Sequence, residues 1–98
     1  MDDESLIWID GFGNKFWLNK QKKLHRIDGP AREFENGHKE WWFNGVIHRE
    51  DGPAAISPSG IKWWYFDGFS YETKEDWFNA LSDEAKAKCL FSEDFLNG

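Results

Sequence analysis

A single cysteine, Cys89, leaves this chain no internal disulfide to close, and a lone thiol fits a reducing compartment. Long apolar runs are missing as well: nothing approaches the roughly 18–20 residues that span a bilayer. The acidic opening MDDES has neither the basic nor the apolar part of a signal peptide. A cytoplasmic protein with no membrane partner is therefore expected. Bases are outnumbered, 12 against 18 acids, for a net charge of −6. Proteins that bind duplex DNA carry a basic footprint, so direct duplex binding is not expected and a protein partner is. Gly-rich phosphate loops, the GxSxG elbow and Cys–His motifs are also absent, which removes common enzyme signatures.

Rings, by contrast, are abundant. Seven Trp, nine Phe and two Tyr stand in 98 residues, and mean hydropathy is still only −0.76. A chain this short makes one small domain, and large rings let few positions supply its core.

The second abundance is repetition. LHRIDGPA at residues 24–31 returns as IHREDGPA at residues 47–54. Residues 24–46 and 47–69 match as whole units, pairing His25 with His48, Arg26 with Arg49, Asp28 with Asp51, Trp41 with Trp64 and Gly45 with Gly68. A worn partial copy, LIWIDGFGNKFWLN over residues 6–19, precedes them. In DGPA, Asp caps its own turn, Gly tolerates unusual backbone angles and Pro ends strand pairing. ENG (35–37) and PSG (58–60) are tight-turn signals between strand-like runs such as KEWWFNG and KWWYFDG. The pattern predicts a mainly β fold: an antiparallel meander of about three hairpin units, with six or seven short strands.

Alternation along the strands assigns Trp41, Phe43, Trp64 and Phe66, with Phe16 and Leu18 of the first copy, to a packed face. The other row holds Trp17, Trp42, Trp63 and Tyr65. Either it packs under the end of the chain or it forms a partner-binding surface, with the basic stretch Lys20, Lys22, Lys23 and Arg26 as its rim. The first strand, LIWID at residues 6–10, is apolar and carries one charge, so its edge is a candidate for pairing with a second copy.

Residues 1–72 thus read as a hairpin region and 73–98 as a helical tail packed on it, in a single domain. Thr73 with Asp76 makes a capping box before Trp77, Phe78 and Leu81 at helical spacing. Ser82 before Asp83 and Glu84 is a second N-cap. Two short helices are expected, about 74–81 and 83–91, with Cys89 a small core residue and the last two residues, Asn97 and Gly98, fraying.

The units with HRxDGPA, a Gly turn, an aromatic pair and NG or DG resemble MORN-like repeats over roughly residues 6–71. They are similar in particular to YwqK-type antitoxins and to HRxDGPA repeats of small phage and giant-virus proteins. The resemblance implies a single-layer meander that binds something and supplies no catalytic residue. It suggests a phage-encoded inhibitor of a bacterial host or defence protein, of the anti-CRISPR or another anti-defence type, acting in the host cytoplasm. An antitoxin or immunity protein facing a toxin is the alternative.

Chemistry in the repeat itself is the competing reading. His25 and His48, each with an Asp three residues on, resemble acid–base or metal pairs. Yet a residue type demanded by every unit of a repeat serves the unit's own fold more often than a unique active site. The histidine and arginine are expected to bond the turn that Asp and Gly form, with no enzyme activity, no metal and no cofactor. A third class, capture of a nucleotide or sugar between aromatic walls by Arg26, Arg49 and Lys62, also remains open.

Overall fold

The computed structural model describes residues 6–97; the acidic opening MDDES and Gly98 lie outside them. The chain is mainly β, as expected. Among the described residues it forms β1 (Leu6–Ile9), β2 (Lys15–Leu18), β3 (Arg32–Glu33), β4 (Lys39–Glu40), β5 (Trp42–Phe43), β6 (Val46–Ile47), β7 (Ala55–Ile56), β8 (Lys62–Phe66) and β9 (Phe69–Tyr71). Helices α1 (Lys74–Asn79), α2 (Asp83–Cys89) and α3 (Glu93–Leu96) follow. Seven strands make one antiparallel sheet in the order β1-β2-β3-β4-β7-β8-β9, and β5 and β6 pair separately. The strands beyond the expected six or seven come from this β5–β6 hairpin. Its turn, Asn44-Gly45, has both residues at positive φ (51° and 84°), the geometry that closes a two-residue hairpin with the correct twist.

The cross-strand register lays a row of alternating bulk along one face. Ile7 pairs with Trp17 and Trp64 with Tyr71. Between them, the backbone bonds from Trp17 N–H to the Ala31 carbonyl (2.8 Å) and from Trp41 N–H to that of Ala54 (2.7 Å) continue the row. It therefore runs Ile7, Trp17, Ala31, Trp41, Ala54, Trp64, Tyr71. Both alanines are the last letter of a DGPA segment, and both are fully buried between indoles.

This row corrects the expected faces. Trp17 belongs with Trp41 and Trp64, and Phe16 lies on the opposite face, where it pairs with Trp8 and Arg32. A one-residue slip in aligning the first copy turns every side chain to the other face. The lysines reveal the true alignment, since Lys15, Lys39 and Lys62 occupy one cross-strand row. Within the expected core, Trp64 is buried, Trp41 and Phe66 are half-buried and Phe43 is exposed.

Each DGPA loop folds back over this face. The Arg49 guanidinium lies 3.9 Å from the centre of the Trp41 ring, and that of Arg26 lies 4.1 Å from Trp17. Trp64 has no such loop, because the position continuing the Arg26, Arg49 series holds Glu72. The helices cover it instead: Trp77 packs on Trp64 at 4.7 Å and Phe95 meets it edge-on. Trp77, Leu81, Ala85 and Cys89 are buried with Trp64, and the Trp77 indole donates to the Tyr65 carbonyl. The Thr73 and Ser82 caps form as the sequence indicates. Three helices replace the expected two, because Ser92 repeats the Ser82 signal, its hydroxyl accepting from the Phe95 N–H.

The arginine can sit between its loop and the ring because the glycine of the loop has no side chain. A Cβ on Gly52 would stand 2.8 Å from Arg49 Cζ, and one on Gly29 3.0 Å from Arg26 Cζ. Arg49 is held by hydrogen bonds and a ring, so it cannot swing away freely. Gly52→Ala is expected to cost roughly 1–2 kcal/mol, a fall of about 5–10 °C in melting temperature. His48→Ala, which removes a turn-closing acceptor, should cost about 1 kcal/mol. Thermal denaturation followed by near-UV circular dichroism checks both.

Candidate interaction surfaces

The histidine, arginine and aspartate of each HRxDGPA segment are engaged in hydrogen bonds. Arg49 donates from Nε to Asp51 (2.9 Å) and from Nη1 to the Pro53 carbonyl (3.0 Å). Arg26 makes the same two bonds, to Asp28 (3.2 Å) and the Pro30 carbonyl (3.1 Å). His48 Nδ1 accepts from the Asp67 N–H (2.8 Å), and His25 Nδ1 from the Asn44 N–H (3.0 Å). Each histidine thus closes the next hairpin turn, and each aspartate orients an arginine. The histidine and aspartate of one segment are not bonded to each other. Among the described residues, no group of three or more His, Cys, Asp or Glu comes together in a form that could hold a metal ion.

A groove of about 640 Å³ separates the two loops, floored by Trp41 and Phe43 and walled by Arg26 and Asp28 on one side and Arg49 and Asp51 on the other. Lys62, expected to join Arg26 and Arg49 around a small ligand, is not among its walls. The groove's cations are already paired: Arg49 with Asp51 and Asp94, Lys88 with Glu50, Arg26 with Asp28. An anionic ligand would have to compete with Asp94 for Arg49 and with Glu50 for Lys88.

The opposite face is different. Its cross-strand row runs Trp8, Phe16, Arg32, Glu40, Ala55, Trp63 across six strands. Trp8 stacks on Phe16 at 5.1 Å, and Arg32 lies over both Phe16 and Phe34. Glu40 is the polar hub. It accepts from Arg32 Nη1 (3.2 Å) and the Trp42 indole (2.9 Å), and it meets His38 Nε2 at 3.0 Å. Burial works to raise its pKa, but the Trp42 and His38 hydrogen bonds and the Arg32 charge outweigh that and hold it below the ordinary value. The helices pack on the other side of the sheet, and on this one Trp63 is 41% and Trp8 57% exposed.

The expected partner-binding residues are therefore divided. Trp42, Trp63 and Tyr65 lie on this open face. Trp17 and Arg26 lie on the other, stacked on each other. Lys20, Lys22 and Lys23 project from the exposed turn after β2, in which the Asn19 side chain accepts from the Gln21 and Lys23 N–H groups. Trp8, Phe16, Phe34 and His38 were not among the expected site residues. Aligning the copies on their lysines would have found Phe16, and alternation in LIWI would then have found Trp8. No protein-family model, curated protein or solved structure matches the chain.

The Glu40 hub has a sign that can be tested. A carboxylate whose folded pKa is depressed stabilises the fold above its unfolded pKa and loses that contribution as pH falls through the folded value. Acidification below the ordinary glutamate value of 4.5 should therefore lower the melting temperature progressively. Glu40→Gln should melt lower at pH 7 and lose less on acidification. Melting curves of both proteins between pH 7 and pH 3 check this.

Proposed function

We propose that the chain is a non-enzymatic module that binds another protein on the sheet face opposite its helices. One observation carries the reading: among the described residues no helix is laid over the face that carries Trp8, Phe16 and Trp63, although the chain has helices available and uses them on Trp64. Exposed apolar surface on this scale suits an interface, and Trp, Tyr and Arg supply most of the energy at such surfaces. Trp63, Trp42 and Tyr65, with Trp8 and the Arg32–Glu40 pair, are the contact residues. The basic turn Lys20, Lys22, Lys23 supplies a charged rim.

The engagement of every His, Arg and Asp of the HRxDGPA segments in bonds that hold turns, loops and helix together supports a non-enzymatic role. The resemblance to MORN-like HRxDGPA repeats points to an inhibitor of a bacterial host or defence protein as the biological setting. An antitoxin would use the same face against a toxin. Arg49 and Lys88 are held by Asp94 and Glu50, and this argues against capture of an anionic nucleotide between the two loops.

Trp63→Ala and Trp8→Ala should leave the melting temperature nearly unchanged, within about 0.5 kcal/mol as at other exposed sites. Both should abolish recovery of a protein that wild type captures from host lysate. Trp64→Ala, in the buried cluster, should cost roughly 3–5 kcal/mol and unfold the domain. Paired capture and melting measurements decide the matter. If Trp63→Ala and Trp8→Ala retain the captured protein, the reading fails.

A further inference from the structure

The two HRxDGPA loops have the same internal geometry but different neighbours. The second loop is a docking surface that the chain's own helices occupy. The Ser92 hydroxyl donates to the Asp51 carbonyl, Cys89 Sγ donates to the Glu50 carbonyl at 3.3 Å, and Arg49 Nη2 donates to Asp94 at 2.7 Å. Lys88 completes the contact with a bond to the Glu50 carboxylate. Ser92 is the N-cap of α3, and Asp94 lies in its first turn. One short segment, Ser-Glu-Asp, thus reads the Asp51 carbonyl and the spare guanidinium nitrogen of the loop, while Cys89 reads the Glu50 carbonyl.

The first loop offers the same groups without that cover. Ile27 and Asp28 are the equivalents of Glu50 and Asp51, and among the described residues no side chain bonds their carbonyls. Arg26 uses Nε and Nη1 as Arg49 does, with Glu33 also 3.6 Å from Nη1, while among the described residues its Nη2 meets no carboxylate such as Asp94. Exposure follows: the Asp28 side chain is 86% exposed against 48% for Asp51, and Arg26 24% against 9% for Arg49. The space alongside is the groove over Trp41 and Phe43. These two residues are the equivalents of Trp64 and Phe66, against which Trp77 and Phe95 pack.

We infer that the first loop is a docking site for a helical segment of a partner protein whose first turn carries a Ser or Thr N-cap followed two residues later by an acid. The hydroxyl donates to the Asp28 carbonyl, and the acid accepts from Arg26 Nη2 in a charge-assisted bond. Where the second loop has Glu50, the first has Ile27, 67% exposed. The partner therefore carries an apolar residue where this chain carries Lys88. A second copy is a poorer occupant, because its α3 is engaged on its own second loop and its Lys88 would face Ile27. This site is separate from the aromatic face and stands or falls without it.

The test uses the isotope-labelled full chain and a synthetic peptide of residues 82–97 carrying Lys88→Leu and Cys89→Ser. Saturable NMR shifts are expected at the amides of Ile27, Asp28, Gly29 and Phe43, larger than those at Glu50 to Gly52 across the groove. Asp94→Asn in the peptide should weaken binding about tenfold, the loss of one charge-assisted hydrogen bond. A second peptide keeps Lys88 and carries Cys89→Ser alone; wild type should bind it more weakly than the Lys88→Leu peptide. Ile27→Glu in the protein, which installs the residue of the second loop at an exposed position, should reverse that preference by about threefold or more. No shifts at millimolar peptide, shifts confined to Glu50–Pro53, or equal binding of the Asp94→Asn peptide would each overturn the inference. Concentration-dependent shifts of Ile27 and Asp28 without peptide would assign the loop to a second copy and overturn it also.

Discussion

A guanidinium held over an indole is the contact on which the rest of this fold depends. A sheet one layer thick must cover its tryptophans with something, and a chain of 98 residues has little to spare. Here an arginine from the adjacent loop does it. Arg49 sits 3.9 Å from the Trp41 ring with its side chain only 9% exposed, a position no unpaired charge could hold. Asp51, Asp94 and the Pro53 carbonyl satisfy its nitrogens, Gly52 leaves its outer face clear, and Ala54 fits between the flanking indoles. Every letter of RxDGPA that recurs therefore answers to the placement of one cation on one ring.

That arrangement has to end somewhere, and the end sets the division of labour between the faces. With Glu72 where a further arginine would stand, Trp64 is left to the helices, which place Trp77 on it and return α3 to the second loop. All the helical cover is spent on this side. The other face keeps Trp8, Phe16 and Trp63 with an ionic hub at Glu40 between them, and that asymmetry makes it the proposed interface.

Much of this was legible in the sequence because its causes are local. The hairpin turns are written as NG and DG, the caps as Thr73 and Ser82, and the burial of Cys89 as an apolar stripe on a helix. What escaped had causes distant in sequence. Arg26 meets Trp17 and Arg49 meets Trp41 across strands, so no short pattern announces the pairs. Phe16 and Trp17 stand on the faces opposite to those expected, because the first copy reaches its motif through a longer turn, Asn19 to Lys23, that hides the register its Lys15 shares with Lys39 and Lys62. Helix α3 is four residues long, too short for periodicity to reveal, although its Ser92 cap was visible.

The most direct measurement is a double-mutant cycle on Arg49 and Trp41, with stability read by urea denaturation of wild type, Arg49→Met, Trp41→Leu and the double variant. Leucine keeps an apolar side chain under the loop, and methionine keeps the length of the arginine stem without its charge. A coupling of about 1 kcal/mol or more between the two positions is predicted, the size of a desolvated cation–π contact. Additivity within about 0.3–0.5 kcal/mol, as for independent sites, would mean that the arginine stabilises its loop without the ring and that the central contact has been misread.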